Sequence, residues 1–189
     1  MKKNILTLLL VTSFFCANSQ MKPSIVQLKT GEKLVGMGRV AGNYFKYKMH
    51  AKAKLKKIHF SKIEFAKVRF SNDDIKEYVY LRVKTTGNFE VVQVVYSGKR
   101  VQLYTQKELH YYGGNIRMTE TIVKDYVKKT ADKGLTEFGA YSPLANNLKA
   151  KVLAFFSDCD ILIEKIKNRE FKVKSDIEKI VKFYDQSCQ

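Results

Sequence analysis

The chain has 189 residues, with 35 Lys or Arg against 18 Asp or Glu for a net charge of +17 at pH 7, and it contains 3 Cys. That length allows one compact domain or two small ones. The most apolar stretch lies at the very N-terminus and stops short of the roughly 20 residues needed to cross a bilayer, which excludes a membrane-spanning helix there. The excess of base favours anionic partners such as lipopolysaccharide, acidic glycan, nucleic acid or an anionic bilayer surface, or else it simply solubilises an ordinary surface.

Met1-Lys2-Lys3-Asn4 is followed by an apolar run from Ile5 to Phe15 and then by Ala17-Asn18-Ser19. A charged start, a short apolar core and small residues before the cut define a secretory signal peptide over residues 1–19, with cleavage before Gln20. A lipoprotein anchored through Cys16 would need a small residue just before the cysteine, and Phe15 stands there instead. The expected location is therefore the periplasm or cell envelope, and the mature chain keeps 33 basic and 18 acidic residues. It also keeps only Cys159 and Cys188, which in an oxidising compartment are expected to join each other.

From Ser24 to about Tyr104 the sequence alternates with period two, which predicts strands at Ile25–Lys29, Lys33–Val40, Tyr44–Lys48, Lys56–Phe60, Phe65–Phe70, Glu77–Val83, Phe89–Tyr96 and Arg100–Tyr104. Thr30-Gly31, Gly42-Asn43, Gly87-Asn88 and Ser97-Gly98 mark the bends, and such short connections predict an antiparallel meander. The segment Val26-Gln27-Leu28-Lys29-Thr30-Gly31-Glu32-Lys33-Leu34-Val35-Gly36 resembles the first hairpin of small SH3-like or Sm-like barrels. Gln106–Arg117, which includes Tyr111-Tyr112-Gly113-Gly114-Asn115, reads as an exposed loop. A last hairpin is expected from Thr121–Lys128 and Gly134–Phe138.

After Gly139 the period becomes helical. Ser142-Pro143 signals the start of a helix over Leu144–Phe156 that buries Leu148, Val152 and Phe155. Ser157 is placed to cap a second helix containing Ile161, Leu162 and Ile166. Ser175 with Glu178 forms a capping box for a third, carrying Ile177, Ile180, Val181 and Tyr184. A Cys159–Cys188 bridge would then clamp a helical hairpin end to end.

The tail Phe156-Ser157-Asp158-Cys159-Asp160-Ile161-Leu162-Ile163-Glu164-Lys165-Ile166-Lys167-Asn168-Arg169-Glu170-Phe171, with Ile177-Glu178-Lys179-Ile180-Val181-Lys182-Phe183-Tyr184 and Cys188, resembles a group of uncharacterised exported proteins of the Bacteroidota. A mature start at Gln20 and the lysine-rich β half are similar to that group too. The resemblance implies export and architecture, and it brings no activity and no functional residues.

Little in the chain carries chemistry. Gly36-Met37-Gly38-Arg39-Val40-Ala41 matches the dinucleotide fingerprint in letters, but Gly42-Asn43 ends the segment at a turn where the motif needs a helix. His50, His59 and His110 are scattered, without ligand spacing, so no metal or cofactor is implied. Asp73, Asp74 and Asp125 fall in turns or among lysines and read as solvated carboxylates, and no serine sits in a nucleophile elbow.

The segment that stands out is Tyr44–Lys57, where every even position from Lys46 to Lys56 is basic or histidine and the odd ones to Leu55 are apolar or small. Extended chain would put Lys46, Lys48, Lys52, Lys54 and Lys56 on one face as an anion-binding blade, or as a charged edge that resists aggregation. Nucleic acid is the poorer partner, because Tyr44, Phe45 and Tyr47 fall partly on the buried side and an export compartment holds little of it.

The fold predicted is α+β: signal at 1–19, an antiparallel β domain at 20–139 and a disulfide-clamped helical tail at 140–189 that packs on it, covering one open face or end of the sheet. The function predicted is a non-enzymatic envelope protein that docks onto an anionic envelope component through the basic hairpin. The alternative is a protein-interaction module acting through the helical tail or the Gln106–Arg117 loop, with the lysines only solubilising. The oligomeric state is left open.

Overall fold

The computed structural model describes residues 20–112, 118–140 and 147–188, so the segment predicted to be a signal peptide lies outside the described residues. Ten antiparallel strands precede three helices and one disulfide, an α+β fold. The chain divides into two compact units between Lys76 and Glu77. That boundary lies inside the stretch predicted to be a single β domain. The helices share their core with the last strands.

The first unit contains β1 (Lys22–Leu28), β2 (Lys33–Ala41), β3 (Tyr44–Lys48), β4 (Lys56–His59) and β5 (Ile63–Arg69). Side chains alternate between faces along a strand, so Val26, Phe45, Tyr47, Ala66 and Val68 are buried while their neighbours point outward. The β1–β2 bend places Gly31 at φ +89°, and the Leu28 N–H donates to the Glu32 carbonyl at 2.8 Å. Gly42, at φ +56°, opens the two-residue β2–β3 connection.

The pairing is a meander only through β4. The fifth strand returns to pair with β1, giving the order β5-β1-β2-β3-β4. A single 3-10 turn at Phe60–Lys62 redirects the chain: the His59 ring accepts from the Ser61 N–H, and Phe60 is fully buried as a plug. The opening hairpin does form as the resemblance to small barrels implied. A β4–β5 pairing that would close a barrel is not among the described pairings.

In the second unit β6 (Ile75–Arg82, beginning just before the boundary), β7 (Phe89–Ser97), β8 (Val101–Tyr112), β9 (Met118–Lys129) and β10 (Thr136–Ala140) form a true meander. The loop predicted over Gln106–Arg117 is largely strand. β8 continues to Tyr112 and pairs with β9 at every step from Val101↔Lys129 to Tyr112↔Met118. Its polar composition concealed a segment whose backbone groups are satisfied by a long ladder. Residues 113–117 lie outside the described ones.

The helices are α1 (Leu148–Phe155), α2 (Asp160–Lys167) and α3 (Ile177–Ser187). The predicted start at Leu144 and the Ser142-Pro143 signal fall outside the described residues. Two predicted caps are not used. Cys159, not Ser157, precedes α2, and Asp176, not Ser175, precedes α3, neither with a side-chain capping bond. The Asp176 carboxylate instead accepts from the Lys172 N–H at 2.8 Å, tying down the connection before the helix.

All three helices pack on one face of the meander. Val101, Leu103, Val127 and Phe138 meet Val152, Phe156, Leu162, Ile166, Ile180 and Val181 in one core. Phe156 lies at its centre, with ring centroids 4.9 Å from Phe155, 4.7 Å from Tyr184 and 6.1 Å from Phe138. A smaller cluster of Val83, Val92, Tyr104, Tyr126 and Leu135 is also buried. Burial, with the negative charge of Glu77 acting in the same sense, pushes the Tyr104 hydroxyl up to about 12.

Cys159 and Cys188, separated by 29 positions in sequence, are joined, with Cα atoms 5.6 Å apart, so the start of α2 is tied to the end of α3. Reducing this bond in the folded protein is expected to lower unfolding stability by about 3 to 4 kcal/mol in a denaturant titration. A loss well under 1 kcal/mol would mean that the helices hold their geometry without it.

Candidate functional site

The basic hairpin is built from β3 and β4 with β2 beside them. Lys46 lies opposite Lys57 on β4 and opposite Arg39 on β2. Directly opposed residues share a face, so Arg39, Lys46 and Lys57 form a row of three cations across three strands. Lys48, opposite Met37, begins the next row, and Pro23 lies across from Met37 on β1. Phe45 and Tyr47 occupy the other face and are buried.

Two glycines of β2 make this sheet possible. A side chain at Gly38 would collide with the Phe45 ring and one at Gly36 with the Lys48 carbonyl and the Tyr47 ring. The aromatic side chains occupy that space, and the Tyr47 hydroxyl donates to the Val35 carbonyl at 2.9 Å. The glycine pattern of β2 thus serves strand packing. The segment matching the dinucleotide fingerprint lies wholly within β2 and leads into β3 without a helix.

Not every predicted lysine joins the row. Lys52 and Lys54 lie in the connection between β3 and β4, held by the Ala53 N–H on the His50 carbonyl at 2.9 Å and by Lys48 Nζ on the Ala51 carbonyl at 3.3 Å. Lys56 pairs with Tyr47 and so belongs to the opposite face, although it is exposed. Unbroken alternation predicted otherwise, but the turn resets the parity and Lys57 takes the place given to Lys56. Arg39 was missed because its membership depends on pairing between strands, which alternation along one strand does not reveal.

Like charges placed directly opposite one another destabilise a sheet. No carboxylate relieves this row: among the described ion pairs, the first unit contributes only Lys76–Asp74. Residues 20–76 carry 14 basic and 4 acidic side chains, whereas residues 77–189 carry 19 and 14. Exposed apolar groups lie among these cations: Met49 is 66% and Leu55 41% exposed in the hairpin connection, and Val35 is 62% exposed on β2. A cavity of about 260 Å³ is lined on this side by Pro23, Ile25, Val35, Lys67, Arg69 and Ile75.

The other candidates for chemistry are dispersed. His59 Nδ1 lies 2.7 Å from the Ser61 hydroxyl and its ring packs edge-on to Tyr44, His50 is exposed in the turn, and His110 belongs to β8. Among the described residues no group of three or more His, Cys, Asp or Glu could hold a metal ion, and no helix is long and apolar enough to cross a membrane. Asp73 is exposed, as predicted, whereas Asp74 is half-buried and pairs with Lys76. Asp125 is buried: it sits in β9 between Thr105 of β8 and Gly139 of β10 and is only 8% exposed. Burial raises its carboxyl above the usual range, with a hydrogen bond from Thr105 acting in the opposite sense.

Two further carboxylates join helix to sheet. Asp158, in the α1–α2 turn, accepts from Lys129 Nζ of β9 at 2.8 Å and from the Tyr184 hydroxyl of α3 at 2.6 Å. Asp185 of α3 accepts from the Arg100 N–H at 2.7 Å and the Tyr96 hydroxyl at 2.9 Å, clasping the β7–β8 bend. A side chain at Gly98 would strike that carboxylate, which explains the glycine there. Burial opposes the charge on Asp185, but the donors at Arg100, Tyr96, Lys99 and Val101 outweigh it and hold the carboxyl below its ordinary value. These groups are engaged in architecture and none converges with a second reactive side chain on a pocket.

Comparison with protein-family models, with curated proteins and with solved structures finds no match to this chain.

The depressed Asp185 carboxyl contributes stability that is present above the unfolded carboxylate value of about 4 and is lost as pH falls through the lower folded value. Asp185→Ala should therefore cost about 2 kcal/mol at pH 7 and flatten the acid limb of a stability–pH profile measured by urea unfolding. A variant as acid-sensitive as the parent would show that the clasp does not carry this dependence.

Proposed function

We propose that the chain is an exported, non-enzymatic envelope protein that docks onto an anionic surface of the envelope through the β3–β4 hairpin. Lys46, Lys48 and Lys57 with Arg39 present the charge from the strands, and Lys52 and Lys54 present it from the turn. The observation that carries this reading is that Tyr44–His59 holds six lysines and no carboxylate, while none of the six has a carboxylate partner among the described ion pairs. A self-repelling row is tolerable if solvated and becomes favourable against an anion. Met49 and Leu55, exposed among the turn lysines, suit a surface that has an apolar layer beneath its charge.

Export is supported by the N-terminal pattern of residues 1–19 and by a disulfide at home in an oxidising compartment. The alternative docking surface, the helical exterior, has less to offer. Among the described helical residues, Ile161 is the exposed large apolar side chain, and a single such residue does not make a patch.

Co-sedimentation of the chain from Gln20 onward with its own cell envelopes, across a salt series, tests this reading. Binding should fall steeply with salt. The triple reversal Lys46→Glu, Lys48→Glu and Lys57→Glu should weaken it roughly a hundredfold, at about 1 kcal/mol per lysine near an anionic surface. Lys99→Glu, Lys133→Glu and Lys167→Glu, which change net charge equally on the second unit, should weaken it far less. Equal losses in the two variants would reduce the effect to net charge and overturn the site.

A further inference from the structure

A second basic feature, independent of the hairpin, is concave. A pocket of about 470 Å³ opens in the second unit between the start of α1 and the connection from α2 to α3. Its apolar wall comes from Leu148, Ile166, Phe171 and Val173. Ile166 and Val173 are buried, and Phe171 is braced edge-on against Phe183 at 5.6 Å. Its polar rim comes from Lys149, Arg169, Lys172 and Lys174, with Ser175 beside them and no carboxylate in the lining.

The nearby acids are already engaged elsewhere. Glu170 is paired with Lys165, and Asp176 accepts from the Lys172 N–H at 2.8 Å and pairs with Lys179 at 3.0 Å. The four rim cations therefore have no carboxylate partner among the described ion pairs, whereas Lys165 of α2 and Lys179 and Lys182 of α3 do. The sequence spends its negative charge beside the pocket and leaves the rim positive.

Arg169 adds a second observation. It has φ +63°, the only positive φ of a non-glycine among the described residues, and follows Asn168, the residue that ends α2. This is the position where helices most often place glycine, because a side chain there meets the backbone. Folding alone gives no reason for arginine at this point. A guanidinium held at the mouth of an apolar pocket does.

We infer that this pocket binds an amphipathic anion, with a single alkyl chain lying against Leu148, Ile166, Phe171 and Val173 and a carboxylate or phosphate head at Arg169, Lys172 and Lys174. The volume is that of an ordinary small-molecule site, and a wall of apolar side chains with a few convergent charges is the usual composition of one. Arginine suits either head, since its planar fork matches carboxylate and phosphate.

Calorimetric titration of the disulfide-intact chain from Gln20 onward tests the inference, with dodecanoate and dodecyl phosphate as probes below their micellar concentrations. One molecule of the preferred probe should bind per chain, and the stronger of the two identifies the head. Dodecyltrimethylammonium, with the same chain and opposite charge, should not bind, and acetate or inorganic phosphate should bind at least a hundredfold more weakly. Arg169→Gly separates function from folding: it should raise Tm by relieving the left-handed backbone and weaken the probe about tenfold by removing a charged contact. Equal binding of the alkyl cation, several molecules per chain, or full affinity in both Arg169→Gly and Lys172→Glu/Lys174→Glu would overturn it. The hairpin variant with Lys46, Lys48 and Lys57 reversed should bind the probe normally, so the two sites fail or stand separately.

Discussion

Helices of eight residues do not hold together in water, because the cost of nucleating them is not recovered over two turns. α1 and α2 are that short, so they exist only where Val152, Phe156, Leu162 and Ile166 leave water against Val101, Leu103, Val127 and Phe138. Everything else in the second unit follows from that burial. It places Asp185 against the β7–β8 bend and Asp158 over Lys129, and it brings Cys159 within bonding distance of Cys188. It also leaves the α2–α3 connection to run past the end of the core, where Arg169 and the buried Val173 line the pocket.

The two units handle charge differently. Five of the six described ion pairs belong to the second unit, where acids and bases are nearly balanced in number. Isolated surface pairs stabilise by only a fraction of a kcal/mol each, so their value there lies in orienting helix ends and connections. The first unit contributes one of the described pairs and concentrates its cations on strands that are only four to nine residues long. Self-repulsion of this kind destabilises a small sheet, and the buried Phe45, Tyr47 and Phe60 offset it from the other side. One sheet thus has an aromatic core on one face and a positive field on the other.

The sequence made the strands legible because alternation is a local property: period two placed the first eight and a turn signal the last two, most within two residues of their bounds. The helical tail was legible for the same reason, and the disulfide because Cys159 and Cys188 are the pair left when Cys16 is assigned to the predicted signal. What escaped depends on partners distant in the chain. Gln106–Tyr112 is polar enough to resemble a loop and becomes strand only through β9. Asp125 looked solvated among lysines and is buried by the strands on either side of it. The caps at Ser157 and Ser175 were good local signals overridden by the packing of Cys159 and by the bond from Lys172 to Asp176. The exchange of Lys56 for Lys57 has a similar origin, since parity is kept along a strand and lost across a turn.

The same distinction between local and distant information separates the two basic features. The hairpin could be found in one dimension because six of its cations fall within the short stretch Lys46–Lys57. A flat array of that kind attracts through its field, so any dense anionic surface is a partner and dissolved salt competes directly with it. The pocket is assembled from α1, the end of α2 and the following connection, residues that share no periodicity, and no pattern in the chain announces it. A concave apolar wall selects by shape and by the water it sheds, contributions that dissolved salt screens little. Arginine at φ +63° makes the contrast concrete: a lysine on an open strand carries no conformational cost, whereas Arg169 holds its charge in a backbone geometry that folding by itself would give to glycine.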